Sequence, residues 1–138
     1  MNHPVHPLVV HFPIACWSLS TLGDLLGIFY FHNQTQAIGL LLFIGCISAI
    51  VAMTAGLYEV IKIKDIEPIS TTVDYHMYAA MIAWSFYSVS LYLRWDDHLF
   101  TKPTLWAIVT SIIGFVSLVI AGWYGATLVY RHGVSVKN

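Results

Sequence analysis

The chain has 138 residues, of which 58% are hydrophobic and only 9% are Asp, Glu, Lys or Arg. A soluble domain carries about 25% charged residues, so this composition excludes an ordinary water-soluble fold and indicates a membrane protein. The net charge of −1 and the six scattered Lys and Arg residues form no basic patch, which argues against a nucleic-acid partner.

The charged residues are clustered and leave four uncharged runs, at residues 1–23, 25–58, 75–93 and 103–130. A transmembrane helix needs about 20 predominantly apolar residues, so each run is long enough to cross a bilayer. The sequence therefore predicts a single all-α domain, an integral membrane four-helix antiparallel bundle. Its predicted spans cover about residues 7–31, 37–61, 72–93 and 103–131. No Lys or Arg precedes the first span, so we expect it to be retained rather than cleaved as a signal peptide.

Local signals mark several helix ends. Thr71 followed three residues later by Asp74 resembles a capping box and predicts the start of the third helix. Pro103 is suited to the first turn of the fourth helix, and Gly133 predicts its end. Arg94 falls in the charged segment between the third and fourth spans, so it is predicted to be a loop residue.

The distribution of positive charge predicts the orientation, because cytoplasmic loops carry an excess of Lys and Arg. On the terminal face, which holds both termini and the 62–74 loop, lie Lys62, Lys64, Arg131 and Lys137. On the opposite face lie Arg94 and Lys102. We therefore expect both termini to be cytoplasmic.

Histidine is abundant for a chain with so few charges, with seven residues. Folding the four spans back and forth puts five of them on the terminal face, namely His3, His6, His11, His76 and His132. His11 and His76 each lie four residues past a predicted helix start, which is about 6 Å inside the helix. An imidazole at that depth is costly unless it faces the bundle interior and is paired, so the sequence predicts that His11 and His76 share a partner.

Two imidazoles on facing helices are a ligand set for haem iron, and helical bundles build such sites in their cores. Glu59 and Asp74 are predicted to lie on the same face and to accept the second N–H of a ligating imidazole. Tyr130 and Arg131, beside His132, complete the predicted supporting residues. Two other hypotheses stay open. The cluster also suits Zn, Cu or non-haem Fe, and the histidines alternatively only hold helix ends together.

Asp24 lies well inside the first predicted span, about 10 Å from its end. Acids within the membrane are candidates for function, and the sequence leaves open whether Asp24 relays protons or fixes a helix contact. Cys16 and Cys46 fall inside spans and are predicted to be small buried hydrophobic residues rather than a disulfide.

Small residues recur at every fourth position on two of the predicted helices. They are Ser48, Ala52 and Gly56 on the second helix, and Ala121 and Gly125 on the fourth. Such stripes let helix backbones approach closely, so they favour packing within one chain or across a homodimer over the alternative of a cofactor groove.

Two motifs carry a family resemblance. The opening His-Pro-Leu-Val-Val-His-Phe-Pro-Ile-Ala (6–15) and the ending Gly-Ala-Thr-Leu-Val-Tyr-Arg-His-Gly-Val-Ser-Val (125–136) resemble a bacterial family of small four-helix membrane proteins catalogued as a domain of unknown function. Ala55-Gly56-Leu57 followed by Glu59 is similar to the family's second-helix pattern, where the acid is commonly Asp. The family's domain also occurs fused to Rieske iron-sulfur or c-type cytochrome modules, which implies a role near electron transfer.

With this resemblance, the expected function is a bis-histidine cytochrome b in a bacterial inner membrane, working with a quinone or a soluble redox partner. We expect one or two haem b groups, with His11 and His76 as one axial pair and His6 and His132 as a second. Six-coordinate haem leaves no open iron position, which favours electron transfer over a stand-alone enzyme.

Overall fold

The structure is a computed structural model that describes residues 5–27, 34–61 and 69–134. Its helices are α1 (Val5–Val9), α2 (His11–Gly27), α3 (Thr35–Val60), α4 (Ile69–Tyr92) and α5 (Leu105–Tyr130), and its strands are β1 (Trp95–Asp96) and β2 (Leu99–Phe100). The four long helices pack against one another. The predicted all-α membrane bundle is therefore confirmed, with helix ends within a few residues of those predicted wherever both can be compared.

Within the described residues, three segments are long and apolar enough to cross a membrane, namely His6–Gly27, Thr35–Val60 and Leu105–Tyr130. The helix α4 has 24 residues, which corresponds to about 36 Å. This helix contains more Ser, Tyr and other polar residues than the other long helices, so its crossing of the membrane remains a prediction. Residues 28–31 of the first predicted span lie outside the described residues, as do the loop and terminal lysines Lys62, Lys64 and Lys137.

The first span is not one continuous helix, because a turn at Val10 separates α1 from α2. Pro13 explains the break. It has no N–H to donate to the carbonyl of Val9, and its ring crowds that carbonyl. The chain still bridges the turn with Val10 N–H donating to His6 O at 3.0 Å and Ile14 N–H donating to Val10 O at 3.3 Å.

The helices form two hairpins, α2 with α3 and α4 with α5. The first helix of each hairpin also packs on the second helix of the other, since α4 contacts α3 and α2 contacts α5. The core between them contains Trp17, Leu42, Cys46, Ala49, Ala83 and Tyr87. Cys16 and Cys46 are both free and buried.

The connection between α4 and α5 is more ordered than the predicted loop. It forms a two-stranded antiparallel hairpin in which Trp95 pairs with Phe100 and Asp96 pairs with Leu99. Asp97 and His98 at its tip have positive φ, as a two-residue hairpin turn requires.

This hairpin covers the start of α3. The Gln36 side chain donates to Phe100 O at 2.7 Å and accepts from Phe100 N–H at 3.3 Å. A Cβ atom at Gly39 would overlap the Phe100 ring, so this glycine lets the hairpin lie directly on the helix.

Candidate functional site

The structure brings two of the predicted histidines together. His6, on α1, and His76, in the second turn of α4, have ring centroids 6.0 Å apart and ring planes at 86°. Both residues are half-buried. One imidazole therefore comes from each helical hairpin, and the two meet between the hairpins at the end of the bundle where α1 begins and α5 ends.

Each ring is fixed by a main-chain carbonyl of its own hairpin. His6 Nδ1 lies 2.8 Å from Ala52 O, and His76 Nδ1 lies 2.8 Å from Ala121 O. A carbonyl oxygen can only accept, so the hydrogen bond requires the proton on Nδ1 in both rings. In the neutral imidazole Nε2 then carries a free lone pair, which is the form that binds a metal ion.

Glycines make these carbonyls accessible. In an α-helix the residue four positions later covers a carbonyl, and here that residue is Gly56 for Ala52 and Gly125 for Ala121. A Cβ atom at Gly56 would come within 3.0 Å of His6 Nδ1, and one at Gly125 within 3.3 Å of His76 Cε1. The small-residue stripes predicted for helix packing thus receive the two histidine rings.

The predicted supporting acids behave differently from each other. Glu59 Oε1 accepts from the main-chain N–H of His6 at 3.1 Å, so it holds the α1 backbone rather than the second N–H of an imidazole. Asp74 is half-buried in the first turns of α4 and makes no hydrogen bond or ion pair among the described residues.

The remaining predicted ligands lie apart from this pair. His11, predicted to pair with His76, is exposed at the start of α2, and the ring beside His76 is instead that of His6. His132 is half-buried just after α5, next to Tyr130 and Arg131, which are both exposed. No three His, Cys, Asp or Glu side chains lie close enough to hold a metal ion in the described part of the chain.

A second layer of paired side chains lies about 16 Å deeper, at the rise of 1.5 Å per residue. Trp17 of α2 stacks on Tyr87 of α4 with ring centroids 4.7 Å apart and planes at 9°. The Tyr87 hydroxyl lies 2.8 Å from Thr21 Oγ1, which is itself 2.9 Å from Ser111 Oγ. The Tyr87 ring of this pair is therefore anchored by a buried hydroxyl network.

Glycines on the neighbouring helices leave room for the Trp17 and Tyr87 rings. A Cβ atom at Gly45 of α3 would approach Trp17 Cδ1 to 2.6 Å, and one at Gly114 of α5 would approach Tyr87 Cδ2 to 2.9 Å. Each aromatic side chain thus packs on a glycine of its own hairpin, as each histidine does.

The third layer is a buried ion pair that the sequence reasoning missed. Asp24 is bound by Arg94, whose Nη1 and Nη2 each donate to one carboxylate oxygen at 2.9 Å. Arg94 also donates to Ser90 O at 3.1 Å and to Ser90 Oγ at 2.9 Å. Arg94 lies in the connection that follows α4, as predicted, but it is only 1% exposed, so what the sequence did not predict is its burial and its contact with Asp24 of α2.

The three layers share one spacing. Asp24 and Arg94 are 70 positions apart, and so are His6 and His76, and Trp17 and Tyr87. The supporting residues Ala52, Gly56 and Gly45 have equivalents 69 positions later, one fewer than for the paired residues. These equivalents are Ala121, Gly125 and Gly114. Residues that face their own equivalents lie on a two-fold axis. The two hairpins are thus related by an approximate two-fold axis that passes through all three pairs.

A fold of packed apolar helices with a histidine pair on its internal axis defines a small helical membrane protein with a polar interior. The chain belongs to a family described as "Predicted membrane protein (DUF2231)", whose model matches residues 2–138. This confirms membership of a membrane protein family of unknown function. No curated protein and no solved structure matches the chain significantly.

Proposed function

We propose that the protein is a membrane cytochrome that holds one haem b between His6 and His76 and transfers electrons. The observation that carries this proposal is the pair of imidazoles, 6.0 Å apart, each with its Nδ1 bound to a carbonyl. Both Nε2 atoms then have free lone pairs, which suits metal ligation.

The spacing of the rings supports a shared metal ion. Bonds of about 2.0 Å from the metal to each Nε2, with roughly 1.1 Å from each Nε2 to its ring centre, put the centroids of two opposed imidazoles about 6 Å apart. The observed centroid distance is 6.0 Å. This separation allows both Nε2 atoms to reach one metal ion, so His6 and His76 are the residues that would hold a haem iron.

Bound haem would supply one-electron exchange, and the chain's residues would orient the ligands and exclude water. Ala52 O and Ala121 O set the tautomer and direction of the two rings. Glu59 holds the His6 backbone in place. Ligation by both imidazoles would leave a haem iron no open position for a substrate, which favours electron transfer over an enzyme reaction.

This proposal differs from the sequence expectation in its ligands. The site takes His6 from one predicted axial pair and His76 from the other, which favours one haem rather than two. The exposed His11 is left outside the site.

The proposed setting is a bacterial inner membrane, with four crossings and both termini in the cytoplasm. The burial of Arg94 against Asp24 supports this orientation, because among the residues that the structure describes it leaves Lys102 as the cation outside an ion pair on the face opposite the termini. A quinone in the bilayer or a soluble redox protein would exchange electrons with the site from the terminal face, and the chain would act alone or as a homodimer.

The test is the visible spectrum of the detergent-purified full chain from haem-replete cells, oxidised and then reduced with dithionite. We expect a Soret band and sharp reduced α and β bands, the spectrum of six-coordinate haem b. His6→Ala and His76→Ala should each lose these bands. The matched controls His11→Ala and His98→Ala should retain them.

Other outcomes identify the alternatives. Equal bands in all four variants would refute the axial assignment. A colourless protein with stoichiometric Fe, Cu or Zn by elemental analysis would favour the non-haem metal site, and a colourless, metal-free protein would favour histidines that only stabilise the helix ends.

A further inference from the structure

We propose that the chain is a duplicated helical hairpin and that the Asp24–Arg94 ion pair makes its two halves pair with each other rather than with like halves of a second copy. The proposal does not depend on haem. It rests on the residues that lie on the approximate two-fold axis and on the contacts each one makes.

The packing repeats in detail from one hairpin to the other. His6 and His76 each bond the carbonyl of an alanine that precedes a glycine by four residues. Trp17 and Tyr87 each pack on a glycine of their own hairpin. Contacts that recur on two segments at one spacing are the mark of an internal repeat, and such repeats in membrane proteins place their sites at the interface between them.

One axis position differs in kind from the others. His6 faces a second histidine and Trp17 faces a second aromatic ring, so like halves would bring no like charges together at those layers. At the third layer, like halves would bring two Asp24 carboxylates or two Arg94 guanidinium groups together. Burying like charges without a partner is costly, so this layer allows only the pairing of unlike halves.

The approximate symmetry also predicts that the two charges are interchangeable. Arg94 is supported by Ser90, through both its main-chain and its side-chain oxygen. The residue equivalent to Ser90 in the first hairpin is Ser20, which is fully buried and donates to Trp17 O at 2.9 Å. An arginine at position 24 would therefore find a serine four residues earlier, as Arg94 does.

The experiment compares Asp24→Arg, Arg94→Asp and the double reversal in the full chain. The readouts are the yield of monodisperse protein in size-exclusion chromatography in detergent and its apparent Tm, measured without added haem. We expect each single reversal to lower the monodisperse yield about tenfold or more, because two like charges then face each other on the axis. The double reversal should recover most of this loss.

Substitution of each of the two serines by alanine, in the native and in the double-reversal background, provides the second measurement. In the native background, Ser90→Ala should lower the apparent Tm more than Ser20→Ala does, because Ser90 Oγ bonds the guanidinium. In the double-reversal background the order should invert. The proposal would be overturned if the double reversal gave no more monodisperse protein than the single reversals. It would also be overturned if Ser90→Ala still lowered the apparent Tm more than Ser20→Ala in the double-reversal background. If the double reversal recovers yield and Tm as expected but the native protein shows no haem bands, the result counts against the proposed function alone.

Discussion

The two ends of the internal axis bury polar side chains in opposite ways. At the terminal face His6 and His76 are each satisfied by a main-chain carbonyl, so neither needs the other to stay in the bundle. At the other end Asp24 and Arg94 satisfy each other, through two bonds of 2.9 Å. The ion pair is thus a structural contact between the hairpins, whereas the histidines keep free lone pairs that are available for a ligand.

The largest expected effect comes from breaking the ion pair. Arg94→Ala leaves the Asp24 carboxylate buried without its partner, so we expect it to destabilise the protein by about 3 to 5 kcal/mol. Chemical unfolding in detergent would measure the change. Lys102→Ala, which removes an exposed cation from the same connection, is the control and should lie within about 0.5 kcal/mol of the native protein. Equal stability of the two variants would show that the ion pair does not hold the hairpins together.

The middle layer gives the next effect. Gly45→Ala places a Cβ atom 2.6 Å from Trp17 Cδ1, against a ring that stacks on Tyr87 and cannot move freely. We expect a loss of about 1 to 3 kcal/mol from overpacking.

The control for this substitution is Gly122→Ala, on the outer face of α5, where a Cβ atom meets nothing within 4 Å. It should be neutral or stabilise the helix by up to about 1 kcal/mol. If both variants unfold at the same denaturant concentration, the Trp17 layer is not tightly packed.

These effects also show what the sequence could reveal. Composition and the uncharged runs were sufficient for the membrane bundle and for the outer ends of its spans to within a few residues, because these features depend on local properties of the chain, but not for the break at Val10. The partner of Asp24 was not predictable in that way, since Arg94 stands in a charged segment and only the tertiary fold draws it inward. The signal that could have found it is the spacing of 70 residues, which also separates His6 from His76.

Sequence patterns could not predict which of His6 and His11 faces the bundle interior, and the reason is geometric. Side chains five residues apart on a helix point about 140° away from each other, so only one of the two can face the bundle interior. The break at Val10, caused by Pro13, then decides the direction in which α1 runs. In the structure His6 faces Ala52 and His11 is exposed.

A smaller effect is expected at the glycines beneath the histidines. Gly56→Ala brings a Cβ atom within 3.0 Å of His6 Nδ1, while Gly125→Ala reaches only 3.3 Å from His76 Cε1. We expect Gly56→Ala to displace its ring and weaken the Nδ1 bond, at a cost of about 1 kcal/mol, with a lesser change for Gly125→Ala. Nitrogen NMR of the imidazoles would report the tautomer of each ring directly. Identical His6 spectra in the native protein and Gly56→Ala would show that the glycine is not required for the carbonyl bond.

The smallest effect on stability should come from removing a histidine itself. In His6→Ala the Ala52 carbonyl keeps its helical bond from the Gly56 N–H, so no buried group is left unsatisfied, and the loss should be about 1 kcal/mol or less. Unfolding of the haem-free protein, compared with Arg94→Ala under the same conditions, measures this difference. A loss as large as that of Arg94→Ala would mean that the histidine pair is itself a structural contact. A small loss of stability together with complete loss of the haem bands would separate ligand binding from folding, because the ring would then matter to the ligand and hardly to the bundle.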